Sequence, residues 1–587
     1  MRSRRNSKHD LRNLWQVFGP IRTWTFWTLA AAVALPGLAQ QTPDVDAGRT
    51  EVPPAREFRL PPRVGIFRDM PLSLEQALAM ALANNRNVNI SRIDQDLSGY
   101  ASAAAIGVYD PTFGTAASFT KNVVPIASAI GGGTNGAVTN KNSILDPQFN
   151  GALPWGATYQ ADFNNQRTWT SNTFTTLNPT YPTSLNLSYT QPLWRNLLYD
   201  ANRNSIEVAK KNKQLTDEQF RQQLMQTITQ AEQAYWNLVF AYDNLQIQLE
   251  AVELGRDQDA SNRRQESEGV LAPIDVVAAQ TQLATFELNA YSAQEALTVA
   301  ENALKTLILG DRADQMWSTA FIPTTAVNLV PPIIPLDDAV AEALRRRPEM
   351  QQLQLNSEIN TANQRLSKEQ LKPQINVTVT HTNAGLSGAQ LSNGGSSFFS
   401  GNTATTERIN ELSALAGLEP LPVVTPTGGG VPGLLVGSYG QSLGNLFRGN
   451  FPTTTVGLQI SLPLRNRTAK ANLQSAIAQG RRIDNQRMQT EVTIEADVRN
   501  AMQAMVSAQA RLESARVFRA SAEAQYESEQ RQFRAGTSTL FLVQQRQTEM
   551  VTARSQESRA EADLSIAIAG FQLATGNILN TRNIEVQ

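Results

Sequence analysis

The residues that most often carry catalytic and metal chemistry are scarce in this chain. Cysteine is absent, and histidine occurs only at His9 and His381. The absence of cysteine removes disulfides, thiolate metal sites, thiol nucleophiles and an acylated cysteine. Two distant histidines do not favour a catalytic triad or a multi-histidine metal site. No cluster of carboxylates, and no serine paired with a base, takes their place, so the sequence predicts no enzyme activity, no cofactor and no metal site.

The net charge and the length of the chain bear on its binding partners and its domain organisation. The chain has 587 residues, with 51 Lys and Arg against 52 Asp and Glu, which gives a net charge of -1. Proteins that bind nucleic acid usually present a basic surface, so this balance argues against a nucleic-acid partner. The length corresponds to about three or four ordinary domains unless a few elements are very long.

The N-terminus has the pattern of a secretory signal peptide. Six basic residues lie within positions 1–22, and an apolar stretch from Trp24 to Leu38 follows. Small residues at Gly37 and Ala39 predict cleavage after Ala39. A retained transmembrane anchor is the alternative, but the apolar run is shorter than the roughly 20 residues that a bilayer requires. The proline-rich residues 40–70 are predicted to form an extended leader.

The remaining chain is an internal duplication. LEQALAMAL, beginning at Leu74, is similar to LDDAVAEAL, beginning at Leu336. Each half is predicted to run helix, helix, strand, long loop, strand, very long helix, short break and long helix. The predicted repeats span 71–330 and 331–580, with a tail at 581–587. Further matching positions occur in the same order in the two halves: Pro111 matches Pro373, Gly269 matches Gly536, and Leu309 matches Thr575.

Four segments alternate apolar with polar or small residues, two in each half, which predicts strands with one apolar face. One interpretation is a sandwich whose polar side faces water. The other is a membrane barrel with apolar faces toward lipid and polar faces toward a wet lumen. In that barrel, the lipid-facing residues are predicted to be Val456, Leu458, Ile460, Leu185, Leu187, Val377 and Val379.

The segments between paired strands, 122–183 and 382–454, are rich in Gly, Ser, Thr, Asn and Pro. Loops of this length are uncommon inside compact domains and are typical of the external side of outer-membrane barrels. Within the first segment, residues 157–163 are predicted to extend a strand beyond the membrane.

Two segments, 199–268 and 465–535, contain long proline-free helical patterns. A helix of about 65 residues is roughly 100 Å long at 1.5 Å per residue. Heptad spacing of the apolar and alanine residues from Ile494 to Ala515 predicts supercoiled packing. Tyr235 and Trp236 lie on such an apolar stripe, which favours helix packing over a ligand site.

Four strands are too few to close a membrane barrel, and open sheet edges are not tolerated in lipid. Strands that enter a membrane must therefore be shared among several chains. The long helices would continue such a barrel as a helical tube.

The chain resembles the TolC-type outer-membrane efflux proteins over about residues 71–580. The matching features are the LEQALAMAL opening, prolines before strands, AYWN at 234–237 in a long helix, and GVLAPIDV at 269–276. The resemblance implies an α+β membrane protein, a homotrimer with four strands per chain in a twelve-stranded barrel, and a long periplasmic helical barrel. It also implies contact with outer-membrane lipid, a periplasmic adaptor and an inner-membrane transporter, in the outer membrane of a Gram-negative-type bacterium.

The resemblance further implies a gate at the periplasmic end. Asp275 matches a linking aspartate of the family, and Ser538 takes the place of the arginine expected opposite it. Leu542 and Gln545 occupy the positions of two ring aspartates, so the gate is expected to be apolar, or anion-tolerant because arginines lie nearby. For Asp275, the alternative role is a helix N-terminal acid favoured by the dipole.

The turns around Gly269 and Gly536 are expected to form the periplasmic tips. In the family, adaptors dock at these tips, so Gly269, Val270, Gly536 and Thr537 are candidate docking residues. A glycine after a helix is also an ordinary C-cap, and this interpretation therefore depends on the family resemblance.

The function predicted from these features is a passive exit duct of a tripartite efflux or secretion system. The alternative is a periplasmic coiled-coil scaffold or filament subunit without channel activity. That alternative accounts for the helices and the export signal but leaves the alternating strands unexplained.

Overall fold

The computed structural model describes residues 58–127, 136–326, 330–391, 403–422 and 431–584. The chain divides into Met1–Arg56 and Glu57–Gln587, and all described residues belong to the second unit. The predicted signal peptide, most of the leader and the last three residues lie outside the described residues.

The described helices include two that are far longer than ordinary globular helices. They are α1 (Leu74–Asn84), α2 (Arg86–Ile106), α3 (Ala201–Ser267), α4 (Pro273–Ile308), α5 (Leu336–Arg346), α6 (Pro348–Glu369), α7 (Thr403–Leu415), α8 (Tyr439–Phe447), α9 (Arg467–Arg534), α10 (Leu540–Ala574) and α11 (Ile578–Thr581). With 67 and 68 residues, α3 and α9 are each about 100 Å long. None of the described helices is long and apolar enough to cross a membrane.

The described strands form two sheets. They are β1 (Arg68–Leu72), β2 (Thr112–Pro125), β3 (Ala137–Ala152), β4 (Thr158–Thr170), β5 (Leu177–Thr180), β6 (Thr183–Pro192), β7 (Thr319–Pro323), β8 (Gln374–Gly385), β9 (Gly388–Gln390) and β10 (Phe451–Ser461). β1 and β7 form a small parallel sheet, whereas the large sheet is antiparallel with the order β10-β8-β6-β4-β3-β2. The short strands β5 and β9 lie beside this path.

The four predicted strands are present as β2, β6, β8 and β10. The prediction that 122–183 is an external loop needs correction, because the two long strands β3 and β4 lie within this segment. The sheet of one chain therefore contains six long strands, two more than the sequence indicates. The predicted short extension at 157–163 is the first part of β4.

The helical order of the two halves is the same. α1 to α4 in the first half correspond to α5, α6, α9 and α10 in the second half, in the order predicted from the duplication. Along α9, Ile494, Val498, Met505 and Leu512 are buried in a core with α5 and α10. The predicted heptad packing is confirmed.

A second core surrounds the middle of α3. Tyr235 is fully buried and donates a 3.0 Å hydrogen bond to the Leu72 carbonyl, while Trp236 packs in the same cluster. This confirms the packing role predicted for both residues, and the bond joins the small sheet to the long helix.

A buried ion pair fastens the C-terminal end of the chain to α3. Glu232 has no exposed surface, and Arg582, which follows α11, donates a hydrogen bond from Nε to its carboxylate. Burial raises the pKa of Glu232, and the bond to Arg582 opposes that rise. The pair joins elements 350 residues apart in sequence.

Candidate channel wall and gate

The residues predicted to face lipid share one face of the large sheet. In the antiparallel register, Val456 lies opposite Val379, and Leu458 lies opposite Val377. Leu185 and Leu187 lie on the same face of β6, because Leu187 is opposite His381, two residues from Val379. In the single chain, Val456, Leu458 and Ile460 are 71%, 61% and 55% exposed. These residues therefore form an exposed apolar patch on this face of the sheet. Beyond the patch, α8 packs on the same face, where Ser442 is hydrogen-bonded to Thr183 at 2.9 Å.

The opposite face of the sheet is polar. Gln459 lies opposite Asn376. The hydroxyls of Thr190 and Thr378 are hydrogen-bonded across β6 and β8 at 3.2 Å. Such a two-faced sheet suits lipid on one side and water on the other.

Both ends of the sheet are open. β2 and β10 are the terminal strands, and almost all their residues are exposed. With six strands in an antiparallel path, the two terminal strands run in opposite directions. A second copy could therefore continue the antiparallel pattern by placing its β10 beside β2. Lipid does not tolerate unpaired strand edges, so closure by further copies removes the cost of both edges.

The two breaks between long helices have the same backbone geometry. Gly269 has φ of +73°, and Gly536 has φ of +74°. After Gly269, the Val270 N–H donates to the Gln265 carbonyl, and after Gly536 the Thr537 N–H donates to the Gln532 carbonyl, both at 2.9 Å. These are Schellman motifs, which favour glycine because its φ is positive. The space beside both glycines is open.

The four gate candidates lie close to these turns, where α4 and α10 begin. Asp275 is in the first turn of α4, which has Pro273 at its start. Ser538 donates a hydrogen bond to Glu529 of α9, and no hydrogen bond or ion pair joins Asp275 to Ser538 within the part of the chain that the structure describes. The position of Asp275 in the first turn of α4 agrees with the helix-dipole role.

Leu542 and Gln545 lie on the first turns of α10. Leu542 is 37% exposed, and Gln545 donates a 3.1 Å hydrogen bond to Glu549. Arg546 pairs with Glu549 at 2.6 Å, and this hydrogen bond lowers the pKa of the Glu549 carboxyl. The positive charge of Arg546 is therefore balanced by Glu549, which weakens the argument for an anion-tolerant entrance.

Polar contacts between the helical hairpins were not anticipated from the sequence. Gln282 of α4 donates to Thr548 of α10 at 2.9 Å. Arg554 of α10 pairs with Glu523 of α9 at 2.8 Å and with Glu250 of α3 at 3.1 Å. Arg554 and Glu250 are 304 residues apart, so local spacing carries no signal for this contact. These contacts join the helical hairpin of α3 and α4 to the helical hairpin of α9 and α10.

The sequence profile of the outer membrane efflux proteins matches residues 158–310 and 433–577, together just over half of the chain. The chain belongs to the outer membrane efflux protein family. This confirms the resemblance to TolC-type proteins, and the two matched segments fall in the two predicted repeats. Membership of the family places the chain in the outer membrane with its helices in the periplasm, as an efflux exit duct, and does not favour the scaffold alternative.

Solved structures share the fold at low sequence identity. The Campylobacter jejuni CmeC outer membrane channel is 16% identical, with a TM-score of 0.58 over 86% of each chain. The Vibrio cholerae outer membrane protein VceC is 14% identical, with a TM-score of 0.55 over 86% of this chain and 96% of that chain. The Neisseria gonorrhoeae MtrE outer membrane channel is 14% identical, with a TM-score of 0.53 over 86% and 89%. Among curated proteins, no significant sequence match is found.

Proposed function

We propose that three copies of this efflux duct assemble and receive cargo from an inner-membrane transporter through a periplasmic adaptor. The main support is the large sheet, whose apolar face and two open edges require partners within lipid. The duct itself is passive, so the transporter supplies the energy.

Adaptor docking is assigned to the two glycine turns. The Val270 side chain, next to Gly269, is 73% exposed, and the Phe541 side chain, in the first turn of α10, is 71% exposed. Exposed apolar side chains at or close to the capped turns can serve as anchors for a protein partner. Among the described residues, no atom lies within 4 Å of a Cβ built at either glycine.

Crosslinking tests this assignment, and the cysteine-free chain allows clean single-cysteine variants. With a thiol-to-amine reagent in whole cells, Val270→Cys and Thr537→Cys should each capture a periplasmic adaptor identified by mass spectrometry. Gln489→Cys on exposed α9, roughly 70 Å from the turn, is the matched control. Equal capture at all three positions, or none, contradicts docking at the turns. Native mass spectrometry of the detergent-solubilised protein should give three chains, and a stable monomer contradicts the assembly.

The gate is proposed to be uncharged, with Leu542 and Gln545 on the lumen side of the narrow end. Leu542→Asp should then place three carboxylates at one constriction. In single-channel recordings, a trivalent cation should block the variant at a concentration at least tenfold lower than the unmodified duct. Leu542→Asn, which adds polarity without charge, should not change the block. Equal block of both variants places Leu542 outside the constriction.

A further inference from the structure

The strands β3 and β4 form a hairpin within the wall of the large sheet. β2 pairs with β3 over its whole length, from Thr112 opposite Asn150 to Pro125 opposite Ala137. β4 in turn pairs with β6, from Thr158 opposite Thr190 to Asn165 opposite Thr183. The hairpin therefore separates β2 from β6, the two strands that would be neighbours without it.

The hairpin reaches the end of the sheet from which the long helices descend. Its turn contains Gly156, which has φ of +88° and lies against the segment leading into α3. A Cβ at this glycine would lie 2.8 Å from the Asn196 carbonyl oxygen and 2.9 Å from Arg203. β3 contains 16 residues and β4 contains 13. A tilted strand needs only about 9 to 11 residues to cross a membrane. The hairpin is thus long enough to span the bilayer.

The two faces of the hairpin continue the faces of its neighbours. Phe163 lies opposite Leu185 on the apolar face, and Phe149 lies opposite Ala161. On the other face, Asn164 lies opposite Ser184. A one-residue shift would reverse both faces, so this agreement is a specific feature of the register.

Aromatic residues of the hairpin join those of β6 near the helical end. Tyr159 lies opposite Tyr189, and the rings of Tyr159 and Phe149 are 5.9 Å apart. In the hairpin turn, Trp155 donates a 3.1 Å hydrogen bond to the Tyr189 hydroxyl. Membrane barrels carry such aromatic girdles at the lipid interface.

We infer that each chain contributes six membrane-spanning strands, so that three chains close an eighteen-stranded barrel. This rests on the proposed trimer. At about 4.8 Å between strands and a tilt of about 40°, eighteen strands give a circumference of roughly 110 Å, against roughly 75 Å for twelve. The membrane section would therefore be about half as wide again as a twelve-stranded barrel.

Adjacent residues of β4 provide a matched test in the full-length protein. Phe163→Arg places a charge on the lipid face and should reduce assembled trimer in outer membranes at least tenfold. Asn164→Arg places the same charge toward the lumen and should assemble normally. Equal assembly of the two variants overturns the inference.

A labelling experiment tests the orientation of β4 without using the amount of assembled trimer as the measurement. In the cysteine-free background, Asn164→Cys should react at least tenfold faster with a water-soluble maleimide than Phe163→Cys, and a lipid-soluble maleimide should reverse the order. Both cysteines reacting alike with the water-soluble reagent would place the hairpin outside the bilayer. Cryo-electron microscopy of the unmodified trimer should show a barrel of eighteen strands. A trimer with a twelve-stranded barrel overturns the inference but leaves the proposed exit duct intact. The absence of any trimer refutes the proposed assembly.

Discussion

Replacing Leu458 by arginine should strongly reduce the amount of assembled duct in the outer membrane. Leu458 lies opposite Val377 on the apolar face, where lipid is the expected surroundings. A charge near the bilayer midplane costs about 2 to 4 kcal/mol on a barrel surface, and the trimer incurs it three times. The measurement is the heat-sensitive trimer band of isolated outer membranes, which should fall at least tenfold.

The neighbouring residue provides the control. Gln459→Arg introduces the same side chain on the opposite face, across from Asn376. This variant should assemble normally and should shift the single-channel conductance because the new charge lines the lumen. If both variants assemble equally, or if only Gln459→Arg fails, the assigned orientation of β10 is incorrect.

Replacing Arg582 by alanine should destabilise the helical part by about 3 kcal/mol at neutral pH. Arg582 is the ion-pair partner of the fully buried Glu232. Removing one member of a buried pair leaves an uncompensated charge, which is far more costly than replacing both. Thermal or denaturant unfolding of the solubilised trimer, followed by circular dichroism, measures the loss. Arg582→Ala combined with Glu232→Gln should recover much of it.

The same variant should acquire a distinctive pH dependence. Burial already raises the pKa of Glu232, and Arg582 opposes the rise, so the alanine variant raises the pKa further. A group whose pKa is higher in the folded state binds more protons when folded, so stability falls as pH rises from the unfolded value toward the folded pKa. The penalty of Arg582→Ala should therefore shrink in acid. A penalty that is independent of pH would mean that lost packing of the arginine side chain, rather than the charge of Glu232, causes it.

Periodicity was sufficient to predict the helices and four strands. Ile494, Val498 and Leu512 recur at heptad spacing, and their burial against neighbouring helices follows directly from that spacing. In β10, Leu458 and Ile460 alternate with polar residues over one uninterrupted strand. Where one local pattern runs without a break, the sequence alone indicates both the element and its buried or apolar face.

The hairpin of β3 and β4 was missed for a physical reason. Pro147 has no N–H for the ladder, and the pairing of β3 with β4 omits Asp146 and Pro147 between Leu145 and Gln148. Proline inside a segment argues against a central strand. The strand persists because residues on both sides of Pro147 remain paired with β2 and β4.

The sequence predicts the two turns between the long helices but not the contacts made near them. Gly269 and Gly536 mark the turns because only a positive φ suits each cap. The partners of Ser538 and Arg554 depend on which helices lie side by side, and Arg554 contacts residues on two other helices. Linear spacing contains no information on those contacts, so the hydrogen bond from Ser538 to Glu529 could not be predicted.

The twin Schellman turns give the proposed trimer a rim of pseudo-sixfold symmetry. Six backbone corners of nearly identical shape would be arranged there, three from each half of the duplicated chain. Their side chains differ, because Val270 follows one glycine and Thr537 follows the other. If six identical partner subunits bound around this rim, they would contact two alternating kinds of binding site. Subunits at the two kinds of site would therefore bind with different affinities.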